Sequence, residues 1–301
     1  MTNMKVAISG GTGLLGQAIT KILLEQGHEV VILSRSKKSS SDQRLRYAVW
    51  NPEAGELDTE SMSAVDGIIN LAGAPVAQRW TASNKKAILN SRIDSTKCLV
   101  DFVLNQPNQV KSFVSASAIG IYPSSKELMT VSSKAGKGFL SDVVVQWEKA
   151  AEPVFDKVKG GIIRIGIVLS AEGGALEKML PIFKMGLGSA LGSGKQWQSW
   201  IHIDDIARLF VFALQNKTLP IMNGVAPHPV NQKAFSKELA KALKKPFWAP
   251  AVPAFVLKVV LGDMAEVVLN SQKVSAKSAE NSGFEFKYKE VDRALSSLFQ
   301  K

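Results

Sequence analysis

The chain has 301 residues, 46% of them hydrophobic, which is enough to bury the core of one large α/β domain or of one domain with a small appendage. Its single cysteine, Cys98, excludes an intramolecular disulfide framework, so we expect a buried thiol and a cytoplasmic location. The net charge of +11 would suit nucleic acid or a membrane surface, but the lysines are dispersed and no apolar stretch reaches the length of a membrane span. We therefore expect no nucleic-acid partner and no membrane partner. The first residues lead directly into a predicted strand, which leaves no room for a signal peptide.

The chain opens with a predicted strand, a glycine turn and a helix. The glycines fit two registers, G-x-G-x-x-G at Gly11, Gly13 and Gly16, or G-x-x-G-x-x-G with Gly10 in first place. Such a turn lets the backbone approach a pyrophosphate and directs the phosphates to free N–H groups at the helix N-terminus. The turn thus predicts a dinucleotide site, formed by Gly10, Thr12, Gly13, Leu14, Leu15 and Gly16.

The second predicted strand, 29–33, ends without the Asp or Glu that accepts a hydrogen bond from the ribose of NAD. Ser34 and Arg35 follow it, and a guanidinium there suits the 2′-phosphate of NADP. We therefore predict NADP as the cofactor, although Arg35 would look the same as an ordinary loop charge.

The next buried strand, 67–71, runs into small residues that permit close approach of the backbone to a ligand. Leu71, Ala72 and Gly73 are predicted to contact the cofactor at the carboxyl edge of the sheet. A long helix, 81–104, carries Arg92 midway, which either faces a phosphate or lies on the surface.

A strand at 110–114 continues into a serine-rich segment that ends at Tyr122. We then predict a helix at 138–155, a strand at 161–169 and a helix at 175–185. The glycine-rich segment 186–194 is either a substrate-side loop or a flexible connector.

His202 is as consistent with a structural role as with a catalytic one, and Asp204 or Asp205 is the predicted N-cap of the next helix. The histidines lack metal-ligand spacing, so no metal is predicted. A strand at 219–225 and an amphipathic helix at 232–243 complete the first part of the chain.

Pro246, Pro250 and Pro253 mark a candidate boundary. Residues 4–245 are predicted to form an NADP-binding Rossmann domain, with substrate-side insertions from about 170, and residues 246–301 a short extension of unknown role. Within the extension we expect a helix at 255–269, a strand at 284–288 and a last helix from Val291.

Taken together, these features resemble the epimerase-like branch of the extended short-chain dehydrogenase/reductase superfamily, the YfcH-like or SulA-like epimerase family proteins. The motifs that carry the resemblance are Gly10-Gly-Thr-Gly-Leu-Leu-Gly16, Asn70-Leu-Ala-Gly73, Arg79-Trp80, Ser91-Arg92, Trp147-Glu148, Arg164-Ile-Gly-Ile-Val168, Gly192-Ser-Gly194, Trp200-Ile-His-Ile-Asp204, Asn223-Gly-Val-Ala-Pro227 and Gly283-Phe-Glu-Phe286. It implies an α/β fold with a Rossmann-type doubly wound parallel sheet and a small C-terminal α/β part on the substrate side. It also implies bound NADP and a homodimer formed through the helices after strands four and five. By the same resemblance, Ser34, Arg35, Leu71, Ala72, Arg92 and Val168 match positions that contact the cofactor.

One departure from the wider superfamily concerns its chemistry, which uses a Tyr-x-x-x-Lys pair on the helix after strand five. Anchoring that helix on Glu148 places Leu140 at the tyrosine position and Val144 at the lysine position, and neither transfers a proton. We therefore predict Ser117 and Tyr122 as the catalytic groups.

Two functions stay open at this point. The first is an NADP-dependent epimerase or oxidoreductase that acts on a small polar substrate, such as a nucleotide sugar. The second is a catalytically reduced NADP-binding protein that regulates or binds a partner.

Overall fold

The computed structural model describes residues 3–299, so residues 300 and 301 of the predicted extension, and Met1 and Thr2 before the first strand, lie outside the described part. The strands in chain order are β1 (Lys5–Ser9), β2 (Glu29–Ser34), β3 (Leu45–Asn51), β4 (Glu56–Leu57), β5 (Gly67–Asn70), β6 (Ser112–Ala118), β7 (Leu128–Met129), β8 (Lys159–Ile165), β9 (Ile167–Leu169), β10 (Trp197–Gln198), β11 (Trp200–His202), β12 (Ile221–Gly224), β13 (Val230–Asn231) and β14 (Lys273–Val274). The α-helices are α1 (Leu14–Glu25), α2 (Thr59–Met62), α3 (Ala82–Asn105), α4 (Phe139–Ala151), α5 (Gly174–Lys184), α6 (Ile203–Gln215), α7 (Gln232–Ala242), α8 (Ala254–Leu261), α9 (Ala265–Leu269), α10 (Lys277–Asn281) and α11 (Val291–Phe299). Short 3-10 turns lie at Ile119–Ile121, Glu152–Asp156 and Gly262–Met264.

The central sheet has eight strands in the order β12-β8-β6-β5-β1-β2-β3-β4. All neighbours pair in parallel except β3 and β4, which pair antiparallel. The chain direction across the sheet reverses between β1 and β5, and ligands of doubly wound sheets bind outside the strand ends at such a point. The predicted Rossmann-type fold is therefore confirmed.

Helices cover both faces of the sheet, and the residues of β1 show why. Val6 and Ile8 point into the core beneath α1 and α6, while Ala7 points into the core beneath α3. Alternate residues of a strand face opposite sides, so a strand buried on both faces must be apolar throughout. This explains the continuous apolar run with which the chain begins.

The connection from β2 to β3 is a polar loop, 35–44, that contains no helix. Arg35 is the first residue of that loop, immediately after Ser34 at the carboxyl end of β2. The loop therefore carries its basic residues to the edge of the sheet at which a ligand would bind.

The C-terminal extension packs onto the sheet domain. Its β14 pairs in parallel with β7, and α11 packs against α7. Asp205, at the start of α6, has no exposed surface and accepts the N–H groups of Lys287 and Tyr288 at 2.9 and 2.8 Å. The predicted strand at 284–288 is wrong, because these backbone donors bond to a carboxylate and not to a neighbouring strand.

Two predicted elements are interrupted at glycines. The predicted helix 255–269 divides into α8 and α9 at Gly262, which has a φ of +60° that other residues rarely adopt. The predicted strand 161–169 divides into β8 and β9 at Gly166, where a side chain would collide with the Ser199 carbonyl. This break lets β9 leave the central sheet and pair with β11.

The predicted N-cap of α6 is also wrong. His202 occupies that position, and its Nδ1 accepts the N–H of Asp204 at 3.0 Å. The His202 ring packs on Tyr288 of the extension, with the ring centroids 3.9 Å apart. Burial lowers the pKa of His202, which favours the neutral ring that such a cap requires.

Between residues 3 and 299, each helix is too short or too polar to cross a lipid bilayer.

Candidate functional site

An outer groove lies along the carboxyl ends of β1, β2 and β5. Of the predicted cofactor residues, those that line it are Gly10, Thr12, Gly13, Ser34, Arg35, Leu71, Ala72 and Gly73. These residues come from three separate turns, and the parallel sheet brings the turns to one edge. The sequence therefore located this groove correctly, while the contacts of each residue with a cofactor stay predictions.

The glycine turn forms a cradle for an anion. Gly10 adopts a φ of +67°, and a side chain on Gly16 would collide with the carbonyl oxygen of Gly10. Gly13 is the N-cap of α1 and makes no side-chain capping bond, so the first N–H groups of the helix lack a capping side chain. The first turn of α1 contains no acidic residue, so its positive end suits a pyrophosphate.

A buried polar network holds the turn after β5 in place. The Ser9 hydroxyl accepts the N–H groups of Leu71 and Ala72 at 3.0 and 3.1 Å and donates to Asn70 at 2.7 Å. Asn70 in turn donates to the Thr96 hydroxyl of α3 at 2.8 Å. These bonds fix the backbone of the turn at the edge of the groove.

The far end of the groove contains residues that the sequence analysis missed. Besides Ser36 and Lys38 of the basic loop, the wall is formed by Trp50, Asn51, Pro52 and Glu53. These four lie at the end of β3 and in the turn toward β4. Their position follows from the pairing of β3 with β2, a long-range contact.

Four of the remaining predicted cofactor residues do not line this groove. Leu15 packs against the core, Gly16 lies behind the turn, and Leu14 contacts the loop at Gly173. Val168 pairs with Ile201 of β11. Its neighbour Ile167 lines the inner pocket, which is described next.

The inner pocket is a cavity of about 400 Å³ between α4, the end of β6, the β8–β9 break and the C-terminal extension. Arg92 lies at the junction of the groove and this pocket. Its Nη1 donates to the carbonyl oxygens of Ala74 and Ile88 at 3.1 and 2.8 Å, and the guanidinium lies over the Trp147 ring, 5.2 Å from its centroid. Within residues 3–299 it forms no salt bridge, and burial lowers its pKa to about 10, so it stays cationic at neutral pH. An unpaired guanidinium at this junction suits an anionic group, the alternative that the sequence left open.

Helix α4 presents an apolar face to the inner pocket. Leu140 and Val144 both line it, one turn apart, where the wider superfamily carries tyrosine and lysine. Glu148, one turn further, is buried. The match of Leu140 and Val144 to the tyrosine and lysine positions stays a prediction.

Beneath that wall, Glu148 and Arg164 form a buried ion pair. Arg164 donates from Nε and Nη2 to the two carboxylate oxygens, both at 2.8 Å. Ser117 donates its hydroxyl to Glu148 at 2.5 Å. Burial alone would lower the pKa of Arg164, but the hydrogen bonds and charge of Glu148 raise it, so Arg164 is cationic.

Tyr122 joins the same network from the other side. Its hydroxyl accepts from Arg164 Nη1 at 2.9 Å and donates to Asn223 Oδ1 at 2.7 Å. Burial raises the pKa of Tyr122 above its ordinary value. The ring lines the inner pocket, whereas Ser117 does not. The structure thus gives both hydroxyls a buried bonding role, and the catalytic roles expected for them stay predictions.

The glycine-rich segment 186–194 does not line the inner pocket, and Gly192 donates its N–H to Val252 at 2.8 Å. Residues of the extension line the pocket instead. The lining residues that the sequence analysis missed are Val76, Lys137, Trp197, Gln198, Glu266, Val267, Asn270 and Gln272. No local motif marks them, because they meet through tertiary packing.

Comparison with known proteins gives two family matches. Residues 6–140 match the NAD dependent epimerase/dehydratase family, and residues 252–298 match a domain of unknown function, DUF1731. Among curated relatives, Epimerase family protein SDR39U1 homolog, chloroplastic, from Arabidopsis thaliana is 39% identical, over 99% of this chain and 88% of the relative. Epimerase family protein YfhF from Bacillus subtilis is 37% identical, over 98% of each chain.

Among solved structures, the human epimerase family protein SDR39U1 (isoform 2) with NADPH superposes with a TM-score of 0.90 at 30% identity, covering 99% of this chain and 100% of the human one. MoeE5 in complex with UDP-glucuronic acid and NAD superposes with a TM-score of 0.79 at 16% identity, over 98% of each chain. The second likeness concerns the fold alone.

Proposed function

The chain belongs to the NAD-dependent epimerase/dehydratase family, and from this membership we propose that it binds NADP(H) in the outer groove and exchanges hydride with a small molecule in the inner pocket. The observation that carries the proposal is the adjacency of groove and pocket, because Arg92 lines the pocket and donates to the carbonyl oxygen of Ala74, which lines the groove. The human relative solved with NADPH, at 30% identity over the whole chain, supports the choice of nucleotide. When bound, the nucleotide supplies a hydride donor or acceptor.

The residues present fit that nucleotide. The glycine cradle and the first turn of α1 would receive the pyrophosphate, because no side chain caps the helix and its first turn contains no acidic residue. Arg35 would pair with the 2′-phosphate, since it directly follows Ser34 at the end of β2, where an NAD site carries an acid. Arg92 would hold a further negative charge of the cofactor at the junction.

Selectivity for NADPH tests the role of Arg35. Charge-assisted hydrogen bonds contribute about 1.5–3 kcal/mol, so Arg35→Ala should weaken NADPH binding about ten-fold or more. Binding of NADH, which lacks the phosphate, should stay nearly unchanged. Calorimetric titration with both nucleotides measures the difference.

Arg46→Ala is the matched control, because Arg46 is exposed on β3 and does not line the groove. It should leave both affinities unchanged. Equal affinities of wild type for NADPH and NADH would contradict the assignment of NADP. Absence of binding for both would overturn the proposed function.

A second candidate function is a catalytically reduced NADP-binding protein that regulates or binds a partner. It is favoured by Leu140 and Val144, neither of which can transfer a proton from α4 into the pocket. The two candidates differ in turnover of NADPH with small carbonyl compounds, followed by nucleotide absorbance. Nucleotide binding without turnover of any compound would favour the binding protein.

A further inference from the structure

We propose that the inner pocket takes a carbonyl compound or alcohol with an apolar body, and not a nucleotide sugar. This inference rests on the proposed NADP(H) function and specifies its substrate class. It replaces the small polar substrate that the sequence indicated. Three features of the pocket support it: an apolar wall, polar lining groups that already have partners, and a closing segment contributed by the extension.

The apolar wall is formed by residues of α4 that line the pocket and by one residue of the turn after β6. Leu140, Val143, Val144 and Trp147 line the cavity from this helix, and Ile119 faces it from the turn after β6. Val143, Val144 and Trp147 are each less than a tenth exposed, so they form a fixed surface. A substrate group against this wall gains by burying apolar area and finds no hydrogen-bond partner there.

Most polar groups that line the pocket already bond to the protein. Ser141 donates to the carbonyl oxygens of Ile121 and Gly136 at 3.0 and 3.1 Å. Ser199 donates to the Gln272 carbonyl and accepts the N–H of Val274, both at 2.9 Å. The hydroxyls of a buried sugar ring would therefore stay unpaired, and each would reduce affinity about ten-fold.

The extension contributes Glu266, Val267, Asn270 and Gln272 to the lining of the pocket. Gln272 donates from Nε2 to the carbonyl oxygens of Ile119 and Tyr122, at 2.9 and 3.1 Å, and so ties the extension to the strand end. Trp197 adds an aromatic face, over which the Lys273 ammonium lies 4.6 Å from the ring centroid. The extension thus forms one side of the substrate site.

Apart from Arg92, the polar side chains still available are half-buried or exposed. Gln198 and Asn270 are half-buried, and their side chains form no hydrogen bond with residues 3–299. Lys137 and Glu266 are exposed beside them. The arrangement suits a molecule whose apolar body lies against α4 while a single polar end reaches the rim.

Binding to the protein saturated with NADP⁺ tests the inference without requiring turnover. The probes are three ketones of increasing apolar size, cyclohexanone, acetophenone and β-ionone, with UDP-glucose as the sugar comparator. Quenching of tryptophan fluorescence reports occupancy, because Trp147 and Trp197 line the pocket. We expect at least one ketone to saturate the signal and UDP-glucose to cause no saturable change.

Substitutions on α4 show whether the ketone binds at the proposed wall. Val144→Lys places a charge on it and should weaken binding of the ketone at least ten-fold. Val145→Lys is the matched control, because Val145 is 42% exposed on the same helix, and it should leave binding unchanged. Val144→Thr keeps the side-chain shape and should weaken binding several-fold, which covers the case in which Val144→Lys fails to fold.

NADPH fluorescence, measured separately on each variant, distinguishes a failure of nucleotide binding from a failure of ketone binding. Failure of the wild type to bind NADPH would overturn the proposed function and this inference with it. If NADPH binding is normal, three results would each overturn this inference alone. They are saturation of the signal by UDP-glucose, failure of all three ketones to saturate it, and equal effects of the substitutions at Val144 and Val145.

Discussion

Replacement of Glu148 by glutamine tests the buried ion pair beneath the inner pocket. The Glu148 and Arg164 side chains are 9% and 6% exposed, and their two hydrogen bonds are both 2.8 Å long. Glutamine has nearly the same shape but no charge. The variant therefore leaves a buried guanidinium without the carboxylate that compensates it.

Loss of one partner from a buried pair costs about 3–5 kcal/mol of unfolding free energy. We expect a value near the lower limit, because Arg164 retains its bonds to the Tyr122 hydroxyl and, at 3.1 Å, to the Val131 carbonyl. A loss of about 3 kcal/mol is a large share of the stability of a typical domain, about 5–15 kcal/mol. It corresponds to a fall in Tm of about 6 °C or more, at about 2 °C for each kcal/mol.

Urea unfolding followed by circular dichroism measures this loss. Glu152→Gln is the matched control, because Glu152 follows α4 directly, is exposed and forms no salt bridge within residues 3–299. The double variant Glu148→Gln/Arg164→Met should recover part of the lost stability, since it removes the uncompensated charge. A Glu148→Gln variant as stable as Glu152→Gln would refute the reasoning, and so would a double variant no more stable than Glu148→Gln.

Three further predictions concern the polar groups around the site. Asp205→Asn should lower the unfolding free energy by about 1–3 kcal/mol and speed hydrogen exchange in the extension, because the amide cannot accept both backbone N–H groups. The control variant Asp204→Asn should change neither quantity. Burial lowers the pKa of His202 in the folded state, so stability should be complete above the unfolded value of about 6.5 and fall as pH decreases through the folded pKa. Urea midpoints across this range should depend less on pH in His202→Gln, and an unchanged dependence would contradict this. Ser117→Ala and Tyr122→Phe should abolish turnover of any substrate found, if these hydroxyls are catalytic; turnover that survives both changes would leave them a structural role alone.

The amino-acid sequence alone predicted most of the turns that line the outer groove. Gly10, Gly13 and Gly16 act through backbone geometry within one turn, so their spacing carries the information. Arg35 is equally local, because it follows directly from the end of β2. That Leu140 and Val144 share one face of α4 also follows from the sequence, since helical periodicity fixes the relative direction of residues four apart.

The tertiary structure alone decided which polar groups hold the site and what closes it. His202 and not an aspartate caps α6, because Asp205 is drawn to the N–H groups of residues more than eighty positions away. The Ser117 hydroxyl forms a hydrogen bond with Glu148, and the Tyr122 hydroxyl forms hydrogen bonds with Arg164 and Asn223. Local propensity describes neighbours along the chain, whereas these bonds and the wall contributed by the extension join segments that become neighbours when the sheet and its covering helices assemble.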